Sequence, residues 1–181
     1  RDKQLARSID FILENGYHLL DLINDLLDFS AIETGRINVD LQWVPLEPLL
    51  RQALAMVGGL AAEHEVRLDD QVSETDLPRV KVDSTRLRQV LFNLLSNAIK
   101  YNRPDGTVTV RCAPEGAGDF RIVVEDDGMG IPKDVIDQLF MPFARPGRDS
   151  MGVDGWGIGL SICKTLAERM GLEISVQSTV G

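Results

Sequence analysis

Positive charge is scarce and scattered. Nineteen Lys and Arg stand against 28 Asp and Glu, a formal net charge of −9, with no basic cluster in the 181 residues. That pattern argues against nucleic acid as the main partner, because phosphate backbones are held by grouped cations. Any nucleoside triphosphate must then be gripped by local cations and backbone N–H groups against the overall field. No apolar run is long enough to span a bilayer, and no signal peptide is visible, so no membrane contact is expected of this stretch. Only Cys112 and Cys163 are present as cysteines. They are far apart and lack C-x-x-C spacing, which leaves free buried thiols in a reducing compartment as the expected state. There is no internal repeat and no low-complexity tract.

What remains is ordinary for a soluble globular protein: 44% hydrophobic and 26% charged residues, enough for one domain with a full core and an appendage. Residues 1–33 read as one long helix. Leu5, Ile9, Ile12, Gly16, Leu19, Ile23, Leu26 and Ser30 follow alternating steps of four and three, a coiled-coil seam. Leu13, Leu20, Leu22, Leu27 and Phe29 widen the stripe towards a bundle of more than two helices. A partner helix is therefore expected from outside this chain or from a second copy, with packing on its own domain as the plainer alternative. Thr34-Gly35 ends the helix.

The rest alternates irregularly between α and β. Short strands are expected at 41–44, 66–72 and 79–82, and a helix opened by Pro45 and Pro48 runs to about Glu63. Asp83-Ser84 caps a central helix. Strands at 107–113 and 120–126 form a hairpin around Gly116-Ala117-Gly118. Pro132 starts a short helix to Phe140, residues 159–170 are helical, and 172–178 reads as a strand. Residues 141–154 have no periodicity, as in a lid. The order lacks the strict alternation of a doubly wound fold.

The central stretch, R-L-R-Q-V-L-F-N-L-L-S-N-A-I-K-Y-N, has two faces at helical period. Leu87, Val90, Leu91, Leu94, Leu95 and Ala98 make the apolar stripe. Asn93, Asn97 and Lys100 fall at i, i+4 and i+7 on another face, and Arg86 and Gln89 extend that line. Two carboxamides and an ammonium in a row suit a site that needs hard oxygen ligands for Mg²⁺ and a cation for phosphate. In Glu125-Asp126-Asp127-Gly128-Met129-Gly130-Ile131-Pro132 an acid at a strand end is followed by two glycines, which let the backbone approach a flat ligand. Asp126 could accept a hydrogen bond from an exocyclic amine; an acidic Gly turn is the plainer alternative. Gly155-Trp156-Gly157-Ile158-Gly159-Leu160 leads from loop into helix and offers N–H groups to an anion. Its spacing is neither the dinucleotide fingerprint nor a Walker A loop.

In combination and in this order, N-L-L-S-N-A-I-K-Y, D-D-G-M-G-I, L-F-M-P-F and G-W-G-I-G-L-S-I resemble the N, G1, F and G2 boxes of sensor histidine kinases. H-L-L-D-L-I-N-D-L-L-D-F-S-A-I-E-T-G is similar to the second helix of their dimerisation hairpin. The resemblance covers nearly the whole chain. It implies an α+β fold: a two-layer α/β sandwich with a mixed, mostly antiparallel sheet covered by helices on one face, shared with gyrase, heat-shock chaperone and mismatch-repair ATPases. Residues 1–34 would be the hairpin helix, 35–40 a linker and 41–181 the ATP-binding catalytic domain. ATP and Mg²⁺ are the implied ligands. Asn97 would ligate Mg²⁺ with Asn93 close by, and Lys100 and Tyr101 would contact phosphates. Asp126 would read the adenine amine beside Gly128, Gly130 and Ile131. Phe140 and Phe143 would anchor the lid, with Arg145 and Arg148 as lid cations. Gly155, Gly157, Gly159 and Leu160 would cradle the triphosphate. A response-regulator receiver domain and a homodimer through the hairpin are the implied partners, in the cytoplasmic portion of a sensor.

Position 93 bears on mechanism. Water-using relatives carry a glutamate base there; Asn93 cannot take a proton. Neutral imidazole is already a nucleophile, so transfer to histidine needs positioning and charge neutralisation instead. The H-E-x-R/T-P acceptor box itself is missing, and the acceptor is expected outside this fragment. His18 is followed by Leu19 rather than an acid. His64-Glu65-Val66-Arg67 spells H-E-x-R but falls between a helix end and a strand, and is read as a decoy. Trp156 stands where the family has a small residue, and the chain reaches Gly181 where the family continues G-S/T-x-F. Trp156 and the missing acceptor keep open a non-catalytic interaction module with weak or no ATP binding. An ATP hydrolase of the same superfamily is disfavoured by Asn93.

Overall fold

Asp83 decides where the central helix begins. The computed structural model describes residues 37–72, 77–116, 119–144 and 157–180, and upstream Gly16, Leu19, Ile23, Leu26, Leu27, Ser30, Ala31, Ile32, Thr34 and Gly35. Oδ1 of Asp83 accepts the Thr85 and Arg86 N–H groups at 2.9 and 3.1 Å, satisfying two of the donors that a helix start leaves orphaned. Oδ2 accepts the Asp40 N–H at 3.0 Å, so the same carboxylate ties the entry to the first strand. Burial alone would push this carboxyl up. The three N–H donors, with the Arg86 guanidinium, outweigh it and hold the group below its ordinary value.

The chain divides into two compact units, Arg1–Asn38 and Val39–Gly181. In the first, Gly16, Leu19, Ile23, Leu26, Leu27, Ser30, Ala31 and Ile32 are helical. Leu19, Ile23, Leu26 and Leu27 are exposed. The continuous helix expected over 1–33 lies otherwise outside the described residues. Thr34 closes the turn by donating its hydroxyl to the Ser30 carbonyl at 2.8 Å, and Gly35 takes φ +66.

The second unit runs β1 (Gln42–Pro45), α1 (Leu46–Glu63), β2 (Arg67–Asp70), β3 (Arg79–Val82), α2 (Ser84–Lys100), β4 (Thr107–Glu115), β5 (Asp119–Asp126), α3 (Lys133–Ile136) and α4 (Gly159–Arg169). The ladders form two sheets. β1 and β3 pair antiparallel, and β2–β4–β5 has a parallel and an antiparallel pair. The mixed character expected is present, but no ladder among the described residues joins β3 to β2. The 172–178 strand is also corrected. Its residues alternate between exposed and half-buried as a strand would, yet carry no ladder. Alternation reports which face is covered and says nothing of whether a neighbouring backbone supplies the pairing. The expected helix from Pro132 to Phe140 shrinks to one α-turn, Lys133–Ile136, continued by turns.

α1, α2 and α4 supply most of the core. α1 buries Leu46, Leu49, Leu50, Ala53, Leu54, Val57 and Ala61. α2 buries Leu87, Val90, Leu91, Leu95, Ala98 and Ile99, while Leu94 is only half-buried. α4 adds Ile162, Cys163, Leu166 and Ala167. A fully buried side chain of this size contributes about 1.5–3 kcal/mol relative to exposure. Val108, Val110 and Cys112 cover the sheet side of the same core. Both cysteines are buried and free, and the Cys163 thiol donates to the Val90 carbonyl at 3.8 Å, linking α4 to α2. At the far end of α1, His64 is the C-cap and Glu65 turns the chain in the left-handed region at φ +55. The H-E-x-R string is thus a helix stop.

Replacing Asp83 by Ala should destabilise the domain by about 1 kcal/mol at neutral pH. Because the native carboxyl is held low, its contribution is present above the unfolded value and lost as pH falls through the native one. Denaturant melts of both proteins from pH 7 down to pH 3 should therefore converge at the acid end.

Candidate functional site

Four sequence-singled segments converge, and three close contacts record it. The first joins α2 to α4. A Cβ built on Gly159, the first residue of α4, would lie 3.2 Å from Oδ1 of Asn93, so the start of this helix abuts that carboxamide. The positive end of the α4 dipole and its first-turn N–H groups therefore lie beside Asn93. The second joins α2 to the turn after β5. A Cβ on Gly128 would lie 2.6 Å from the Tyr101 carbonyl oxygen. The third joins residues 143 and 157. The Phe143 N–H donates to the Gly157 carbonyl at 2.9 Å, with Phe143 itself at φ +63.

Between the first two contacts runs the polar face of α2. Asn93 and Asn97 are half-buried, Lys100 and Tyr101 are exposed, and Arg86 donates to the Gln89 carboxamide at 3.0 Å further up the same face. The buried stripe sets the rotation of the helix and so directs this row away from the core.

Asp126 ends β5. Its cross-strand partner is Val108, which is fully buried, so Asp126 lies on the helix-covered side of the sheet. Its Oδ1 accepts the Gly128 N–H at 3.0 Å. Desolvation by the surrounding chain is the chief cause pushing its carboxyl up, opposed by the Gly128 bond and aided by Asp127 and Glu125. Asp127 goes the other way. The Thr107 N–H bond at 2.6 Å leads in holding its carboxyl down, against slight desolvation, and the Arg103 guanidinium adds to it at 3.3 Å. Asp126 is exposed at the end of its strand, with its carboxyl pushed up; Asp127 anchors the turn.

The two glycines of this turn owe their identity to protein neighbours. Gly130 has φ +72, and a Cβ there would overlap the Thr179 carbonyl oxygen. Together with the Tyr101 carbonyl at Gly128, main-chain oxygens claim the space where side chains would stand. To the expected approach of a flat ligand the structure adds a second reason for glycine, close approach to the protein's own backbone. Ile131 is half-buried and donates its N–H to the Ser178 hydroxyl at 2.8 Å. Ser178 and Thr179 were missed by sequence reasoning. The available signal was a hydroxyl at an inward position of an alternating segment.

Of the remaining candidates, Gly157 and Leu160 are half-buried. Phe143 is exposed, and Phe140 is half-buried with the Lys164 ammonium 5.6 Å from its ring centroid, a cation–π contact. Arg145, Arg148, Gly155 and Trp156, and most of the expected 141–154 lid, lie outside the described residues. No helix among the described residues is long and apolar enough to cross a membrane.

The arrangement offers a carboxylate acceptor at one end, a row of hard carboxamide oxygens with an ammonium along the middle, and a glycine-rich helix start at the other. The fold is that of a catalytic domain of the histidine kinase type. Residues 82–181 match the family described as histidine kinase-, DNA gyrase B-, and HSP90-like ATPase, and the chain belongs to it. The circadian input-output histidine kinase CikA of Synechococcus elongatus is 40% identical over 179 residues, covering 96% of this chain and 23% of that protein. The crystal structure of full-length ShkA in complex with AMPPNP is similar at a TM-score of 0.74 and 34% identity, covering 87% of this chain and 32% of that one. Histidine kinase ThkA, solved in complex with the response regulator protein TrrA, shares the fold at a TM-score of 0.68 and 21% identity, over 93% of this chain and 45% of that one. The chain spans a third or less of the curated relatives it matches, 33% and 23% of the first two.

Asp126→Asn should raise the melting temperature of the nucleotide-free protein at pH 7. A carboxyl whose native value is raised stabilises the fold while protonated and loses that contribution as pH rises through the native value. The gain over wild type should therefore shrink as pH is lowered towards 4. A variant that melts lower than wild type at pH 7 would contradict the raised carboxyl at this position.

Proposed function

We propose that this chain is the catalytic module of a sensor histidine kinase: it binds Mg²⁺-ATP and passes the γ-phosphoryl group to a histidine other than His18 and His64, for relay to a response-regulator aspartate. The observation that carries the reading is the meeting of three boxes along α2, with Asn93 against the start of α4 and Tyr101 against the Asp126–Gly128 turn. Family membership and the nucleotide analogue in the ShkA structure support it.

In this reading Asp126 accepts from the adenine amine, and Gly128, Gly130 and Ile131 lie along the base. Lys100 and Tyr101 hold phosphates, and Gly155, Gly157, Gly159 and Leu160 cradle the triphosphate with helix-start N–H groups. Phe140 and Phe143 anchor the lid, to which Arg145 and Arg148 contribute cations. The donor set fits Mg²⁺. Asn97 and Asn93 supply hard carboxamide oxygens one turn apart on α2, with Oδ1 of Asn93 beside the start of α4. Such a metal is held by few side chains together with substrate phosphates. When bound, it neutralises charge on the transferring group.

The residues of this chain then orient rather than activate. Asn93 takes no proton, so no water is deprotonated there, and an imidazole supplies its own lone pair. The hairpin helix of residues 1–34, the 35–40 linker and pairing of two copies through the hairpin belong to the same proposal.

Calorimetric titration with a non-hydrolysable ATP analogue tests it. Binding in the micromolar range, about −8 kcal/mol, should weaken on removal of Mg²⁺ and in Asn97→Ala. Incubation with γ-labelled ATP should leave both His18 and His64 unlabelled. No heat from folded protein would favour the non-catalytic interaction module, with Trp156 the first residue to replace. Steady ATP turnover would instead favour a hydrolase.

A further inference from the structure

The turn that follows Asp126 is fixed at both ends, and at its far end by groups that no sequence box contains. At its start, the Tyr101 carbonyl fills the space beside Gly128, and Asp126 itself takes the Gly128 N–H. At its end, the Thr179 carbonyl occupies the place of a Cβ on Gly130, and a built Cβ would also lie 2.8 Å from the carbonyl carbon. One residue on, the half-buried Ile131 N–H donates to Ser178 Oγ at 2.8 Å across 47 positions of sequence. The segment carrying Ser178 and Thr179 has no ladder of its own, so these side-chain and steric contacts are the described links between it and the turn.

We propose that Ser178 and Thr179 are positioning residues that set base selectivity. They hold the 126–131 turn at one distance from α2, and with it the Asp126 carboxylate. The proposal rests on the placement of the base at Asp126. Purines differ there in sign. Adenine presents an amine donor to the carboxylate, whereas guanine presents a carbonyl oxygen, which faces the carboxylate without a proton between them. A site built to hydrogen-bond one group rejects the analogue lacking it only while its own acceptor stays in register. Releasing the Ile131 N–H lets the turn relax away from the base edge.

The test uses the whole chain, with Ser178→Ala, Ser178→Thr and Asp126→Asn titrated against fluorescent ATP and GTP analogues in Mg²⁺. Ser178→Ala should weaken the ATP analogue about three- to tenfold, the scale of one lost hydrogen bond. It should also narrow the preference over the GTP analogue. Ser178→Thr, which keeps the hydroxyl, should restore both. Amide exchange at Ile131 should be slow in wild type and faster in Ser178→Ala. If Asp126→Asn weakens ATP while Ser178→Ala changes neither affinity nor preference, the positioning role is overturned and the base reading stands. If neither variant matters, the base reading itself fails and takes the proposal with it. Should Ser178→Ala not fold, the wild-type Ile131 amide still decides. Slow exchange supports the bond, and exchange at the rate of an open loop overturns it.

Discussion

One helix has to satisfy two incompatible demands. α2 packs against α1, α4, β4 and β5, and so is the element through which the core is assembled. Its buried side chains fix its rotation about its own axis. Turning it by a single residue, about 100°, would expose Leu95 and Ile99 and drive the Asn93 and Asn97 carboxamides towards the core. Each unsatisfied buried amide would cost about 1–3 kcal/mol. The polar row is therefore aimed by hydrophobic burial and needs no contacts of its own to hold it in place. The Asp83 cap adds the second coordinate, fixing where along the axis the row begins.

This explains why so much of the site was legible in the sequence. Leu87, Val90, Leu91, Leu95 and Ala98 announce a helix and its buried face, and Asn93, Asn97 and Lys100 then have only one direction to point. Asp83 is legible for a similar reason: capping is local, and its donors lie two and three residues away. The order of the boxes identified the family. What depended on distant chain was not legible. Gly128 and Gly130 stand out in the sequence as glycines, but the carbonyls they abut belong to Tyr101 and Thr179, 27 and 49 positions away in the chain. The division into two sheets and the unpaired 172–178 segment have the same origin, because period-two patterning encodes a face and leaves the partner unspecified.

Electrostatics sorts the acids of this strongly acidic chain by the donors they meet. Adjacent carboxylates at 126 and 127 are pushed in opposite directions, the first by loss of water and the second by a backbone N–H. Asp127 and Asp83 are structural acids stabilised by the bonds they accept. Asp126 is exposed, and the Gly128 N–H that it accepts does not offset what pushes its carboxyl up. An overall charge of −9 does not prevent an anion from binding when the nearest groups are an ammonium, carboxamides and the start of α4.

The backbone at Glu65 changes the meaning of the four letters around it. His64 has a turn below it and none above. Past it the chain reverses hand at φ +55, and the Glu65 carbonyl is taken by the Asp105 N–H at 3.0 Å. Spelling is a one-dimensional property, and chirality is what converts it into chemistry. The same string that would name a phosphorylation site on a right-handed path serves here as punctuation between a helix and a strand.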